Sequence, residues 1–176
     1  FTSDLLHGSD KILSYQEQVD SLLGKGFALW DVVRSCQREG SLDSAITEEV
    51  PNDIYGFYQQ HSHSLKRIVL ANGGTASTIF LRHFKDWFES GQLEAGPNEA
   101  SKKAFKKKKK RIKKKQEQQS RVAEEEFEHK IECISAISVS PACAVKSYVQ
   151  KREFWDTYVF QPGLKDFEAQ SGTSKE

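Results

Sequence analysis

Apolar runs alternate with helical patterns along most of this chain, and that alternation restricts the fold more than any other feature. Residues 27–33 form a nearly unbroken apolar run, as expected of a strand buried on both faces, and residues 65–71 and 131–137 are two further strand candidates. Helices are expected at residues 14–25, 53–60, 75–89 and 145–159, and a shorter helical piece at 41–47. Alternation of this kind predicts the α/β class, with a parallel sheet covered by helices in three layers.

Charge is segregated into one segment of the chain. Residues 102–115 hold 11 basic groups and no acidic one, which leaves 15 basic against 25 acidic residues elsewhere. Residues 99–129 also have no apolar stripe, so we expect residues 92–128 to be a solvated, Lys/Glu-rich insertion that is partly helical at most. The sequence therefore predicts one domain over residues 1–163 that carries this insertion, followed by a disordered tail at 164–176.

Several classes of protein and of site lack support in the sequence. No apolar stretch approaches the roughly 20 residues of a membrane span. Three widely spaced cysteines argue against a disulfide scaffold and favour a reducing compartment, nuclear or cytoplasmic. His61 and His63 have no further ligand at metal spacing, and nucleotide-binding glycine loops and a nucleophile elbow are missing from the sequence. We expect neither a metal nor another cofactor. Because the chain begins at Phe1 and contains no Met, we also expect it to be part of a longer translation product.

Polar loops follow the three expected strands. Ligands of open parallel sheets bind at the carboxyl ends of the strands, so these loops are the candidate site. In the loop at residues 72–76, Asn72 offers an amide donor and an acceptor that could read a base edge or hold a water molecule. The alternative is that the Asn-Gly-Gly sequence only turns the chain.

The other two loops hold candidate phosphate contacts. Hydroxyl groups stiffened by a proline suit phosphate binding in the loop at residues 138–144, although serine-proline segments are also ordinary loops. Basic and hydroxyl side chains in the loop at residues 34–44 could contact phosphates or be simply solvated. The candidates are Arg34, Ser35, Arg38 and Ser41 in one loop and Ser138, Ser140 and Pro141 in the other.

The lysine run has two interpretations. As a nucleic-acid arm it would release condensed counterions and make binding steeply dependent on salt. As a nuclear-localisation signal or a solubilising insert it would add nothing to selectivity. In neither case does it specify a base, because phosphate contacts carry no sequence information. The central residues of the run are Lys106, Lys107, Lys108, Lys109, Lys110 and Arg111.

Taken together, the loops resemble a known family. The quoted segments are GFALWDV at 26–32, SCQREGSLDSAI at 35–46, PND at 51–53, LANGGTA at 70–76 and SVSPA at 138–142. In this order they look like the motifs of the hypoxanthine-DNA glycosylase branch of the uracil-DNA glycosylase superfamily. The mismatch-specific glycosylases that remove thymine or uracil opposite guanine are similar in the same places, more distantly. The resemblance covers residues 14–91 and 130–158.

The resemblance implies a three-layer α/β/α fold and a monofunctional enzyme of base excision repair. Such an enzyme hydrolyses the N-glycosidic bond of hypoxanthine or uracil flipped out of duplex DNA, and needs no cofactor. Asn72 would contact the base or position the attacking water, and the loop at 138–141 would hold phosphates. The resemblance places the base pocket at Trp30, Asp31, Asn72 and Gly73. We expect a monomer that binds DNA and no membrane.

This chain departs from the family pattern at its beginning. Residues 1–13 contain neither the first strand of the family nor its Gly-x-x-Pro-Gly-type loop. Ile137, Val139 and Cys143 also stand where the family has proline, threonine and asparagine. A second hypothesis therefore accompanies the enzyme: a truncated or inactive relative that binds nucleic acid through its basic insertion.

Overall fold

The computed structural model describes residues 13–42, 45–106, 130–140 and 143–172. The chain forms two compact units. One comprises residues 1–30 and 139–176, and the other comprises residues 31–138. The residues of the central unit are contiguous in the chain, and this unit contains every described strand.

The central unit contains two sheets and four helices. The strands are β1 (Val33–Arg38), β2 (Ile46–Pro51), β3 (Arg67–Leu70), β4 (Leu93–Ala95) and β5 (Ile131–Ser135). The helices are α2 (Ile54–His61), α3 (Gly73–His83), α4 (Lys85–Glu89) and α5, which begins at residue 99 and is described through residue 106. β1 and β2 form an antiparallel hairpin, whereas β3, β5 and β4 form a parallel sheet in that order.

β5 is the central strand of the parallel sheet. Its register pairs Ile68 with Cys133 on one side and Ala95 with Cys133 on the other. Four of its five residues are buried, as expected of a strand with neighbours on both edges and helices around it. The strands predicted at residues 65–71 and 131–137 are therefore confirmed, as is the mixed α/β class.

Aromatic side chains from the helices fill the core around this sheet. The Tyr58 and Trp87 rings lie 4.9 Å apart, and the Phe80 and Phe84 rings 4.8 Å apart. Phe80 is completely buried, which contributes about 1.5–3 kcal/mol relative to leaving it exposed. The predicted helix at 75–89 is interrupted at Phe84, so that α3 contacts β3 and β5 while α4 contacts β4.

The first predicted strand, at residues 27–33, is wrong. Residues 27–31 have no regular structure, and Leu29 is 90% exposed. The chain becomes extended only at β1, where a nearby partner, β2, provides backbone hydrogen bonds. The helical piece predicted at 41–47 is also wrong from Ile46 onward, where β2 begins. Local antiparallel pairing thus replaces the buried strand that the sequence predicted.

The beginning of the predicted insertion belongs to the sheet and the core. Leu93 of β4 and Phe105 of α5 are buried, and the Phe105 ring lies 4.8 Å from that of Phe88. The sequence signal was missed because β4 has only three residues, too few to show a periodicity. Residues 107–128, which hold the rest of the predicted insertion, lie outside the described residues.

The terminal unit is helical where it is described. It contains α1 (Tyr15–Leu23), α6 (Tyr148–Trp155), a π-helical turn (Asp156–Phe160) and α7 (Gln161–Gly172). The capping box predicted for α1 is present, with Ser14 and Glu17 as its two members.

The tail predicted to be disordered is helical through Gly172, because α7 continues the last helix. Pro162 cannot donate an intrahelical hydrogen bond, and a π-helical turn immediately before it accommodates this break in the pattern. A Cβ atom at position 163 would lie 2.6 Å from the Phe27 ring, which shows how closely Phe27 packs on α7. Residues 173–176 lie outside the described residues. Within the described part of the chain, every helix is too short or too polar to cross a bilayer.

Candidate functional site

Asn72 lies at the junction of β3 and α3. It follows the last residue of β3 by two positions and occupies the N-cap of α3, with Gly73 as the first helical residue. Its side chain is exposed and does not cap the helix. The structure therefore presents the amide of Asn72 at the carboxyl edge of the parallel sheet, where the sequence predicted a ligand-binding loop.

Ser138 follows the neighbouring strand at the same edge. Leu70 of β3 pairs with Ser135, the last residue of β5, and the Leu70 carbonyl accepts a hydrogen bond from the Ala136 N–H at 3.1 Å. Asn72 and the half-buried Ser138 thus follow adjacent strand ends. Two of the three predicted loops consequently begin at one edge of one sheet.

Four buried polar residues form hydrogen bonds around the end of β5. The hydroxyl groups of Ser77 on α3 and Ser135 on β5 are hydrogen-bonded at 2.7 Å. The Asn98 amide donates to the Ser135 carbonyl at 3.1 Å, and Ser101 accepts from the Ser135 N–H at 2.7 Å. We call Ser77, Asn98, Ser101 and Ser135 the strand-end network. The sequence analysis missed it, although Asn98 and Ser101 have the spacing of a helix N-terminus.

The network replaces backbone partners that β4 cannot supply. The sheet ladder between β4 and β5 ends where the Gly96 N–H donates to the Cys133 carbonyl at 2.9 Å. The Ser135 N–H and carbonyl are then satisfied by side chains of α5 and the turn before it. A central strand can end inside the protein in this way without leaving unsatisfied polar groups.

The hairpin loop does not join this edge. The Glu49 carboxylate of β2 accepts a hydrogen bond from Arg82 Nη1 and lies 3.2 Å from His83 Nε2, at the C-terminal end of α3. Asn72 lies at the opposite end of this helix, which is about 16 Å long at 1.5 Å per residue. The expectation that three strand-end loops converge is thus not met by the first loop, because β1 belongs to a different sheet. Arg34, Ser35, Arg38 and Ser41 are all exposed on this hairpin.

The remaining predicted pocket residues lie where the chain passes from one unit to the other. Trp30 is 53% exposed and belongs to the terminal unit. The Asp31 side chain is exposed, and its carbonyl accepts a hydrogen bond from the Asn52 amide at 2.8 Å. Neither observation assigns these two residues to a base pocket.

The second half of the serine-proline loop belongs to the terminal unit. Ser140 is exposed, and its carbonyl oxygen accepts a hydrogen bond from Lys151 Nζ at 2.8 Å. Pro141 lies outside the described residues, as do Lys107 to Lys110 and Arg111. Lys106 is exposed on α5, as are Lys102 and Lys103.

Ionisation adds one clear feature to the centre of the sheet. Burial, together with the nearby Glu132 carboxylate, raises the pKa of the Cys133 thiol from 9.0 to about 12. This thiol is therefore neutral and unreactive in the folded protein. Among the described residues, no three His, Cys, Asp or Glu side chains are grouped closely enough to hold a metal ion.

Comparison with known proteins adds no assignment. No protein-family model, curated protein or solved structure matches the chain.

Proposed function

We propose that this protein is a DNA glycosylase that hydrolyses the N-glycosidic bond of a deaminated base, hypoxanthine or uracil, flipped out of DNA. One observation carries the proposal: the exposed Asn72 amide stands at the carboxyl edge of the parallel sheet, beside the strand end that leads to Ser138. This is the position that the family resemblance requires of the residue contacting the base or the attacking water.

Hydrolysis of the N-glycosidic bond needs few functional groups from the protein. Water adds to C1′ of the sugar, the bond from C1′ to the base nitrogen breaks, and the base leaves with the electron pair of that bond and takes up the proton that the water loses. Asn72 can hold the water through its amide oxygen or donate to the base through its NH₂ group. The N-terminus of α3, whose first turn has no acidic residue, favours negative charge on the departing base.

The second candidate is a nucleic-acid-binding module without excision activity. It is favoured by the exposed lysines of α5, Lys102, Lys103 and Lys106, which lead into the most basic part of the sequence. Phosphate contacts from such a segment bind nucleic acid without selecting a base. Both candidates bind nucleic acid, and they differ in whether a bond is broken.

The test uses duplexes that carry a single hypoxanthine or uracil. After incubation with the protein, alkali cleaves any abasic site, and strand cleavage is measured on a denaturing gel. We expect cleavage by the wild type and a loss of about 10²–10³-fold in Asn72→Ala, as when one donor that stabilises developing charge is removed. Gln59→Ala, which removes an exposed amide from α2, is the matched control and should cleave normally.

Binding is measured separately, by fluorescence anisotropy on the same duplexes. Retained binding with lost cleavage in Asn72→Ala would place the amide in the chemical step. A wild type that binds these duplexes and cleaves neither would contradict the enzyme and favour the binding module. Equal cleavage by Asn72→Ala and wild type would remove Asn72 from the site.

A further inference from the structure

Lys151 is a buried cation with one neutral partner. It is only 6% exposed, although it lies on α6 in a unit whose helices are otherwise mostly exposed or half-buried. Its ammonium group donates one hydrogen bond, to the Ser140 carbonyl. Among the described residues no carboxylate lies within 4.0 Å of this ammonium, and the first turn of α6 has no acidic residue.

Such an arrangement is costly for folding alone. A lysine is rarely buried without a counter-charge, because the ammonium loses its hydration and has three donors to satisfy. A methionine or leucine at this position would pack on the same neighbours without that penalty. The charge therefore calls for an explanation other than packing.

The surroundings of the ammonium indicate an anion. Its partner Ser140 is exposed, so the positive charge lies one hydrogen bond below the protein surface. At that depth a charge is screened less than on an exposed lysine and attracts an anion more strongly. The Ser140 side chain adds a hydroxyl donor to the same short segment.

We propose that Lys151 and Ser140 form a binding site for one phosphate group of the DNA backbone, with the charge supplied by Lys151 and the hydroxyl by Ser140. This inference rests on the proposed function only for the identity of the ligand as DNA. It extends the predicted serine-proline loop by a residue that lies 11 positions further along the chain and that the sequence analysis did not select.

The test measures binding of an unmodified duplex as a function of salt. Lys151→Met keeps the length of the side chain and removes its charge. We expect affinity to fall about tenfold, as for the loss of one charge-assisted interaction. The slope of log K against log salt concentration should become shallower by about 0.9, the value for one duplex phosphate. Lys165→Met, which removes an exposed lysine of α7, is the control and should change the slope little.

Thermal unfolding separates this role from a structural one. We expect Lys151→Met to unfold at the wild-type temperature or above, because an unpaired buried charge has been removed. An unchanged salt slope would overturn the proposal, whatever the unfolding temperature. If Lys151→Met does not fold, Ser140→Ala decides: severalfold weaker binding supports the site, and wild-type affinity overturns it.

The outcome is independent of excision, because the duplex contains no deaminated base. If Lys151→Met shows the expected slope change but the wild type cleaves no modified duplex, the phosphate site is supported and the glycosylase is contradicted. If the wild type cleaves but Lys151→Met leaves the slope unchanged, the glycosylase is supported and the phosphate site is contradicted.

Discussion

Cys133 shows how one residue of the sheet reports on folding. It is completely buried in β5, and burial raises the pKa of its thiol to about 12. Cys36 of β1 is exposed. We therefore expect a thiol reagent at pH 8 to modify Cys36 in the native protein and Cys133 only after unfolding, because the thiolate is the reactive form. Peptide mass spectrometry after timed labelling measures this, and rapid native labelling of Cys133 would contradict the burial.

The same residue predicts a loss of stability at alkaline pH. The unfolded thiol ionises above its ordinary pKa of 9.0, whereas the folded thiol stays protonated to about 12. The stability contributed by the protonated thiol is thus complete below pH 9 and is lost as the pH rises from 9 towards 12. At pH 10 the loss is on the order of 1 kcal/mol, the equivalent of about one pH unit.

Denaturant unfolding of wild type and Cys133→Ala at pH 8 and pH 10 isolates this effect. All other titratable groups are the same in both proteins, so their contribution to the pH dependence of stability cancels in the comparison. The wild type should lose on the order of 1 kcal/mol more than the variant between the two pH values. Equal losses would show that the thiol titrates normally in the folded protein.

At the scale of elements, the end of β5 is the junction on which the candidate site depends. Ser101 of α5 is completely buried and accepts the hydrogen bond of the Ser135 N–H. Ser101→Ala should lower the free energy of unfolding by about 1–3 kcal/mol, the cost of an unsatisfied buried donor. Lys103→Ala, on the exposed side of the same helix, should change it by less than about 0.5 kcal/mol.

Denaturant unfolding, analysed with one m-value for all variants, provides these free energies of unfolding. If Ser101→Ala and Lys103→Ala were both as stable as the wild type, the strand-end network would not be needed to terminate β5. If both variants had a lower free energy of unfolding than the wild type, the loss would instead reflect a general weakness of α5.

Elements also show where sequence patterns predict structure and where they fail. The strands at 67–70 and 131–135 were predictable because β-branched, apolar residues are bounded by polar turns. The run at 27–33 has a similar composition, yet Phe27 packs on α7 and the extended chain begins later. Composition identifies residues that need burial, but not the partner that buries them.

At the scale of the whole molecule, basic residues are concentrated in one segment, and we expect this segment to affect the strength of DNA binding but not the choice of base. Residues 107–115 hold eight basic groups, and we expect their replacement by glutamine to flatten the salt dependence of DNA binding. The slope should change by roughly 0.9 for each phosphate that the segment no longer neutralises. If the proposed function holds, the preference for a deaminated base over a normal one should not change, because phosphate contacts do not read bases. Residues 101–106 are left intact, since Ser101 and Phe105 belong to the core.

Competition binding at several salt concentrations, with modified and unmodified duplexes, measures both quantities. A changed base preference would assign a selective role to the basic segment. An unchanged salt slope would favour the alternative of a solubilising insert or localisation signal.

The candidate site was predictable in part. Asn72 and Ser138 could be placed at one edge because parallel strands end together, a consequence of backbone geometry. The sequence did not show that the loop with Arg34, Ser35, Arg38 and Ser41 lies away from this edge, because the local pairing of β1 with β2 has no marker in the sequence. Lys151 was missed because no sequence pattern marks a lysine as buried.

The sequence by itself determined the α/β class, the two longer parallel strands and the separation of charge, because these follow from local composition and periodicity. Tertiary structure decided the third strand, the hairpin, the strand-end network and the burial of Lys151. Each of these depends on a partner that is distant in the chain or on a segment too short to show a period. Burial and hydrogen bonding are properties of pairs, and the pairs form only when the chain folds.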